Sequence, residues 1–262
     1  MMYFDSHAHY YDERFTEEYN EGADKLISAL LSNSVSYIIN VGTSPETSRA
    51  AIEQAKKYSN MYTAVGIHPS DTRALSDLQL ELADIEGLIK SPESKCVALG
   101  EIGLDYHYPD TDKDKQMAYF EAQMQMAKRL SIPVVIHDRE AHGDIMDMIR
   151  RYPEVRGVLH SFSGSPEMAE ELVRLGYMIS FSGTLTFKNA RKPREVAAVV
   201  PREYILIETD CPYLAPHPLR GSLNHSGNLV YTNRVLSEIL GITEEDCARL
   251  TENNAKRFFG II

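Results

Sequence analysis

The chain alternates two kinds of apolar pattern. Short runs of consecutive apolar residues begin at Tyr3-Phe4, Val35-Ser36-Tyr37-Ile38-Ile39, Met61-Tyr62-Thr63-Ala64-Val65 and Cys96-Val97-Ala98-Leu99. They continue at Ile132-Pro133-Val134-Val135-Ile136, Gly157-Val158-Leu159, Tyr177-Met178-Ile179-Ser180-Phe181 and Tyr204-Ile205-Leu206-Ile207. Continuous apolarity marks a strand buried on both faces, as parallel strands are. Each run leads through small or polar residues into an amphipathic stretch. Met117, Phe120, Met124, Ala127 and Leu130 recur at helical spacing with Lys113, Lys115, Glu121 and Lys128 between them. That spacing predicts a helix packed on a sheet, its methionines serving as packing. Thr243-Glu244-Glu245-Asp246 has the form of a capping box and predicts a last helix carrying Leu250 and Phe258 and ending at Gly260. Eight strands alternating with helices predict an α/β fold, a single closed (β/α)8 TIM barrel. An open doubly wound sheet competes, but eight such units in 262 residues favour closure.

Composition supports this and narrows the surroundings. Hydrophobic content of 43% and charged content of 25% are those of a core-forming protein. No linker or low-complexity stretch divides the chain, so one domain over 1–262 is expected. No apolar run approaches the roughly 18 residues of a membrane span. Met1-Met2-Tyr3-Phe4-Asp5 lacks the basic and apolar regions of a signal peptide, so a cytoplasmic location is expected. Cys96, Cys211 and Cys247 make neither a disulfide framework nor a zinc ribbon. A net charge of −11 argues against a broad nucleic-acid surface. It leaves room for a local site where bound cations reverse the field.

The candidate chemistry stands where the strands end. Asp5-Ser6-His7-Ala8-His9 closes the first strand, and residues two apart share a side, so both imidazoles can converge on one metal. The third strand runs into His68, the fourth into Glu101, the fifth into His137, the sixth into His160 and the eighth into Asp210. Any one of these histidines could be a core residue. Together they ring the face where barrel enzymes do their chemistry. Imidazole and carboxylate without thiolate suit zinc, manganese, nickel or cobalt, or magnesium with waters completing its shell. Glu101 offers two oxygens and can bridge two divalent ions. His7, His9 and Asp210 would complete one, and His137 and His160 the other. His68 is expected to touch substrate phosphate or a metal-bound water, while Arg139 and Arg220 are candidates for bidentate phosphate contact. Cys211, next to Asp210, has no base of its own and reads as a packing residue.

These residues resemble, in order, the TatD family of metal-dependent deoxyribonucleases, in the amidohydrolase-like barrel group. The matching segments are Asp5-Ser6-His7-Ala8-His9, Gly66-Ile67-His68-Pro69 and Gly100-Glu101-Ile102-Gly103-Leu104-Asp105-Tyr106. They continue with His160-Ser161-Phe162-Ser163-Gly164, Glu208-Thr209-Asp210-Cys211-Pro212-Tyr213-Leu214 and Thr251-Glu252-Asn253-Asn254-Ala255. The resemblance implies a barrel and ligand roles for His7, His9, Glu101, His137, His160 and Asp210. One segment departs from it: after Arg220-Gly221 the family usually shows Asn-Glu-Pro, and this chain reads Asn224-His225-Ser226.

The resulting expectation is a hydrolase with two divalent metals that cleaves phosphodiester bonds of DNA from single-stranded ends by an activated water. Catalytic roles fall to Asp210 as proton acceptor, Glu101 as bridge and His68 beside the phosphoryl oxygens. An ester hydrolase such as a D-aminoacyl-tRNA deacylase is the nearest alternative. A catalytically silent binding barrel is the alternative of another class. Neither a membrane nor an obligate protein partner is expected.

Overall fold

A computed structural model of the protein describes residues 1–19 and 22–261. Its strands are β1 (Tyr3–Ala8), β2 (Val35–Val41), β3 (Met61–Val65), β4 (Cys96–Asp105), β5 (Val134–Arg139), β6 (Gly157–Leu159), β7 (Met178–Phe181) and β8 (Ile205–Ile207). They pair in parallel and in sequence order, one for each apolar run. The seam between β8 and β1 closes around the site. Ser6 Oγ donates to Ile207 O (2.9 Å), Asp210 N–H to His7 O (2.9 Å) and His9 N–H to Cys211 O (2.7 Å). The barrel is the expected one.

All eight strands contribute to one buried cluster, from Phe4 through Ala98 and Val135 to Leu206, which only a barrel interior can bring together. The last helix, Glu244–Phe259, closes that cluster by stacking Phe259 on Phe4 (6.1 Å between centroids). Its start is as anticipated, Thr243 Oγ1 accepting from Asp246 N–H (3.0 Å), and it stops at Gly260 with φ +68°. Cys247, Thr251, Asn254 and Phe259 face inward, leaving Leu250 and Phe258 half-buried at the flanks. The polar Asn254 is tolerated there because its Nδ2 donates to Arg202 O (2.7 Å) and Ile205 O (2.9 Å). The helix Lys113–Leu130 buries Phe120, Met124 and Ala127 against the barrel, as its spacing predicted.

Two ladder irregularities position the chemistry. Between Asp5 and Ala8, β1 advances three residues while β2 advances two, from Ile38 to Asn40. β4 does the same between Leu99 and Ile102 against Val134 to Ile136 of β5. An extra residue in a strand bends it and re-aims a side chain. His7 and Glu101 sit in these two bulges. β4 therefore runs past the apolar stretch that announced it. It continues because Gly103 (φ +133°) lets its backbone press on β5; a Cβ there would lie 2.1 Å from His137 O. Among the described residues no helix is long and apolar enough to cross a membrane.

Candidate metal centre

Asp5, fully buried in β1, anchors the loop after β8. Its carboxylate accepts from Thr209 N–H (2.9 Å), Thr209 Oγ1 (2.6 Å) and Ser226 Oγ (2.7 Å). Burial nevertheless pushes its pKa up to about 6. Asp210 follows in the left-handed region (φ +57°), a conformation that costs a non-glycine residue on the order of 1 kcal/mol or more. The bond from its N–H to His7 O holds it there and turns its carboxylate toward β1.

The donors divide between the two oxygens of Glu101. His7 Nε2 lies 3.3 Å from Glu101 Oε2 and His9 Nε2 lies 3.7 Å from it. Asp210 Oδ1 completes this group, 3.7 Å from His7 Nε2 and 3.3 Å from His9 Nε2, with 3.0 Å between the two imidazole nitrogens. Four donors around a tetrahedral ion at roughly 2.0–2.1 Å stand about 3.3 Å apart, so these edges suit one ion. On the other oxygen, His137 Nδ1 and His160 Nε2 each lie 2.9 Å from Glu101 Oε1 and 3.1 Å from each other.

Acceptors on the outer sides of the His9, His160 and His137 rings set their tautomers, while His7 Nδ1 is buried without a hydrogen-bond partner among the described residues. His9 Nδ1 faces Val41 O (2.6 Å), an acceptor only, so the neutral ring carries its proton there and leaves Nε2 bare. His160 Nδ1 faces Glu208 Oε1 (3.2 Å), and His137 Nε2 faces Asp105 Oδ2 (3.4 Å). The inward nitrogens of these three rings thus present lone pairs to carboxylate oxygens, an arrangement that requires positive charge between them. Divalent cations fit that demand and this donor set.

The titration behaviour states the same demand in protons. Burial opposes charge on Glu101, yet the imidazoles of His160, His68 and His7 hold its carboxyl well below the usual range. Burial likewise opposes protonation of His160, but Glu101 and Glu208 raise it well above an ordinary imidazole. Asp210 is held down against burial by His9, His160 and His7.

His68 behaves differently. Its Nε2 lies 3.4 Å from Glu101 Oε1, and its donors fall within 4.8 Å of those of Glu101 and His137, so distance alone would admit it as a ligand. Its Nδ1, however, accepts the N–H of Ser70 (3.1 Å), and burial lowers its pKa to about 3. A neutral ring with an accepting Nδ1 carries its proton on Nε2, which makes that atom a donor.

The remaining sequence candidates lie at the rim. Arg139 is half-exposed, 3.9 Å from Asp105 and with its guanidinium 5.6 Å from the centre of the Tyr108 ring. Arg220 is exposed, on the face of Phe187 (4.3 Å). Cys211 is fully buried, and burial pushes its thiol well above the ordinary range, as a packing residue requires. In the departing segment, Asn224 Nδ2 donates to Thr209 O (2.9 Å) and Tyr213 O (2.7 Å), while Ser226 serves Asp5. That loop braces the Asp210 turn. Two residues that the sequence reading quoted without a role, Asp105 and Glu208, back the outer sides of His137 and His160. Their places four residues beyond the conspicuous Glu101 and two before Asp210 were the available signal.

The family model described as TatD related DNase matches residues 4–260. The chain belongs to the TatD family. It is 38% identical over 262 residues to YabD of Bacillus subtilis, described as an uncharacterized metal-dependent hydrolase, covering 99% of this chain and all of that one. It is 35% identical over 243 residues to a hydrolase of the same description, TatD of Mycobacterium tuberculosis, covering 90% of each. The crystal structure of the TatD homologue YJJV from Escherichia coli K12 superposes with a TM-score of 0.89 at 29% identity, covering 99% of this chain and 98% of that one. This TatD protein is accordingly a metal-dependent hydrolase built on a TIM barrel.

Proposed function

We propose that this TatD-family hydrolase is a deoxyribonuclease that removes nucleotides from single-stranded DNA ends, with two divalent ions bridged by Glu101. His7, His9 and Asp210 would hold one ion and His137 and His160 the other; zinc, manganese, magnesium, nickel or cobalt suits these donors. The observation that carries the reading is the division of donors between Glu101 Oε2 and Oε1, beside one N–H donor that belongs to neither group.

When bound, the ions supply positive charge that acidifies water and polarises a phosphoryl oxygen. Asp210 is the most accessible of the central carboxylates, its side chain 14% exposed against 4% for Glu101, and takes the proton of the attacking water. It returns that proton to the departing sugar oxygen as the P–O bond breaks. His68 Nε2–H donates to a phosphoryl oxygen where negative charge accumulates. Glu101 stays ionised throughout. The description of the family as a DNase supports phosphodiester chemistry, and a barrel mouth suits a strand end better than a duplex interior.

The test compares an end-labelled single-stranded oligonucleotide, a covalently closed duplex circle and a D-aminoacyl-tRNA, before and after chelation. Stepwise loss of terminal nucleotides, abolished by chelation and restored by a divalent ion, is the predicted result. Efficient cutting of the circle, or turnover of the aminoacyl ester alone, would replace the reading.

A further inference from the structure

A cavity of about 440 Å³ opens beside the metal centre, and the established family assignment gives it no task. Its wall is the segment Pro212–Ala215, which leaves the centre directly from Asp210 and is tied back by Tyr213 N–H donating to Asp210 O (2.9 Å). The Tyr213 ring meets the His9 ring edge-on at 6.2 Å. The only ionisable side chains with a formal charge lining it are Arg14 and Arg220; no carboxylate lines it. An arginine without a carboxylate partner in a cavity wall is conspicuous on a chain of net charge −11.

The two arginines differ. Arg14 is engaged: its Nε and Nη2 grip Asp12 (3.0 and 2.9 Å), and its guanidinium lies 3.8 Å from the centre of the Tyr213 ring, whose hydroxyl donates to Asp12 Oδ2 (3.0 Å). This triangle fixes Tyr213 while leaving it 46% exposed, unusual for so large a ring. Arg220 makes no ion pair or hydrogen bond among the described residues and rests only on Phe187. Several other surface arginines are tied to carboxylates, as Arg129 is to Glu86 and Arg150 to Glu171. Phe187 is followed by the exposed Lys188 and by Arg191 and Lys192 at the start of the next helix, of which Arg191 is paired with Glu195.

We propose that this cavity is a nucleotide subsite, resting on the phosphodiesterase reading above. Arg220 receives a phosphate through its free guanidinium edge, and the immobilised Tyr213 receives the base on its exposed surface. The volume falls in the range of small-ligand pockets, roughly 300–1,000 Å³, and so takes one nucleotide and not a duplex. Adjacency to Asp210 places that nucleotide next to the bond being hydrolysed.

The chain contains no tryptophan, so Tyr213→Trp installs a single reporter in the cavity. Indole fluorescence of this otherwise intact protein is titrated with deoxyadenosine 5′-monophosphate, with deoxyadenosine and with inorganic phosphate, and calorimetry repeats the first titration on the unmodified chain. The monophosphate is expected to saturate both signals, with nucleoside or phosphate alone binding at least about tenfold more weakly. Arg220→Ala should weaken monophosphate binding by about tenfold, whereas the distant Arg151→Ala should leave it unchanged. No saturable binding of the monophosphate, or binding indifferent to Arg220, would overturn the subsite. Binding is read without turnover, so the two claims separate: a protein that trims DNA yet ignores the monophosphate refutes the subsite alone. One that binds it yet leaves DNA intact refutes the nuclease reading alone.

Discussion

Glu208 Oε1 lies 3.2 Å from His160 Nδ1, on the side of the ring that faces away from Glu101. The same oxygen accepts the N–H of Ser161 (2.8 Å), whose φ of +40° is left-handed, so one buried carboxylate holds both the ring and the backbone behind it. Such an outer partner fixes the tautomer and strengthens the inward nitrogen as a donor. Glu208→Gln keeps the shape and loses the charge. Metal affinity or activity should fall about 10–100-fold, the usual loss for this kind of partner. Titration of the metal-free variant with zinc or manganese checks it, and unchanged affinity and rate would remove Glu208 from the site.

His68 should prove separable from metal binding. Removing a donor to developing phosphoryl charge costs about 10²–10³ in kcat, which is the loss expected for His68→Leu. His68→Gln, which retains an N–H donor, should recover a large part of that rate. Both variants should hold as much metal as the unmodified chain, because the Ser70 N–H dictates a ring protonated on Nε2. Loss of an ion from His68→Leu would make His68 a ligand.

A pH dependence follows from a pair outside the centre. The Asp138 carboxylate, 2.7 Å from His142 Nδ1, raises the His142 pKa above its ordinary value, with Lys192 opposing. A histidine whose pKa is raised by folding contributes stability that is fully present below its unfolded value, about 6.5, and is lost as pH rises through the folded value. His142 is 39% exposed on its side chain, so screening limits the contribution to below about 1 kcal/mol. Thermal unfolding of the unmodified chain and of His142→Gln should differ more near pH 6 than near pH 8.5, and less in high salt. A gap that widened on the alkaline side would contradict this sign.

Much of the barrel was legible because parallel strands buried on both faces write themselves as apolar runs, from Val35–Ile39 to Tyr204–Ile207. What ran past those runs was not legible. Glu101 stands inside β4, and a buried carboxylate has no local justification there; the imidazoles that hold it ionised come from β1, β5 and the turns after β3 and β6. The site candidates were recognisable as a ring of strand ends, but the separation of His68 from the other histidines depends on a backbone N–H two residues away. Arg14 and Tyr213 are far apart in sequence and meet face to face, with Asp12 bonded to both, so no spacing could pair them. The sequence named Leu250 and Phe258 on the last helix, but gave no sign that its inward face would take the polar Asn254, whose Nδ2 is satisfied by Arg202 O and Ile205 O.

Glu101 is the hinge of the whole reading, since its two oxygens are what divide five donors into two groups. The decisive measurement is metal content per chain, by elemental analysis after equilibration with one divalent ion, for the unmodified protein and for Glu101→Gln. The amide preserves the shape of the carboxylate and removes the charge that holds two cations side by side. The account predicts about two ions per chain for the unmodified protein and at most about one for Glu101→Gln, with DNA cleavage lost alongside. A full complement of ions retained by Glu101→Gln, or an unmodified protein that cleaves DNA at full rate with a single ion, would contradict it.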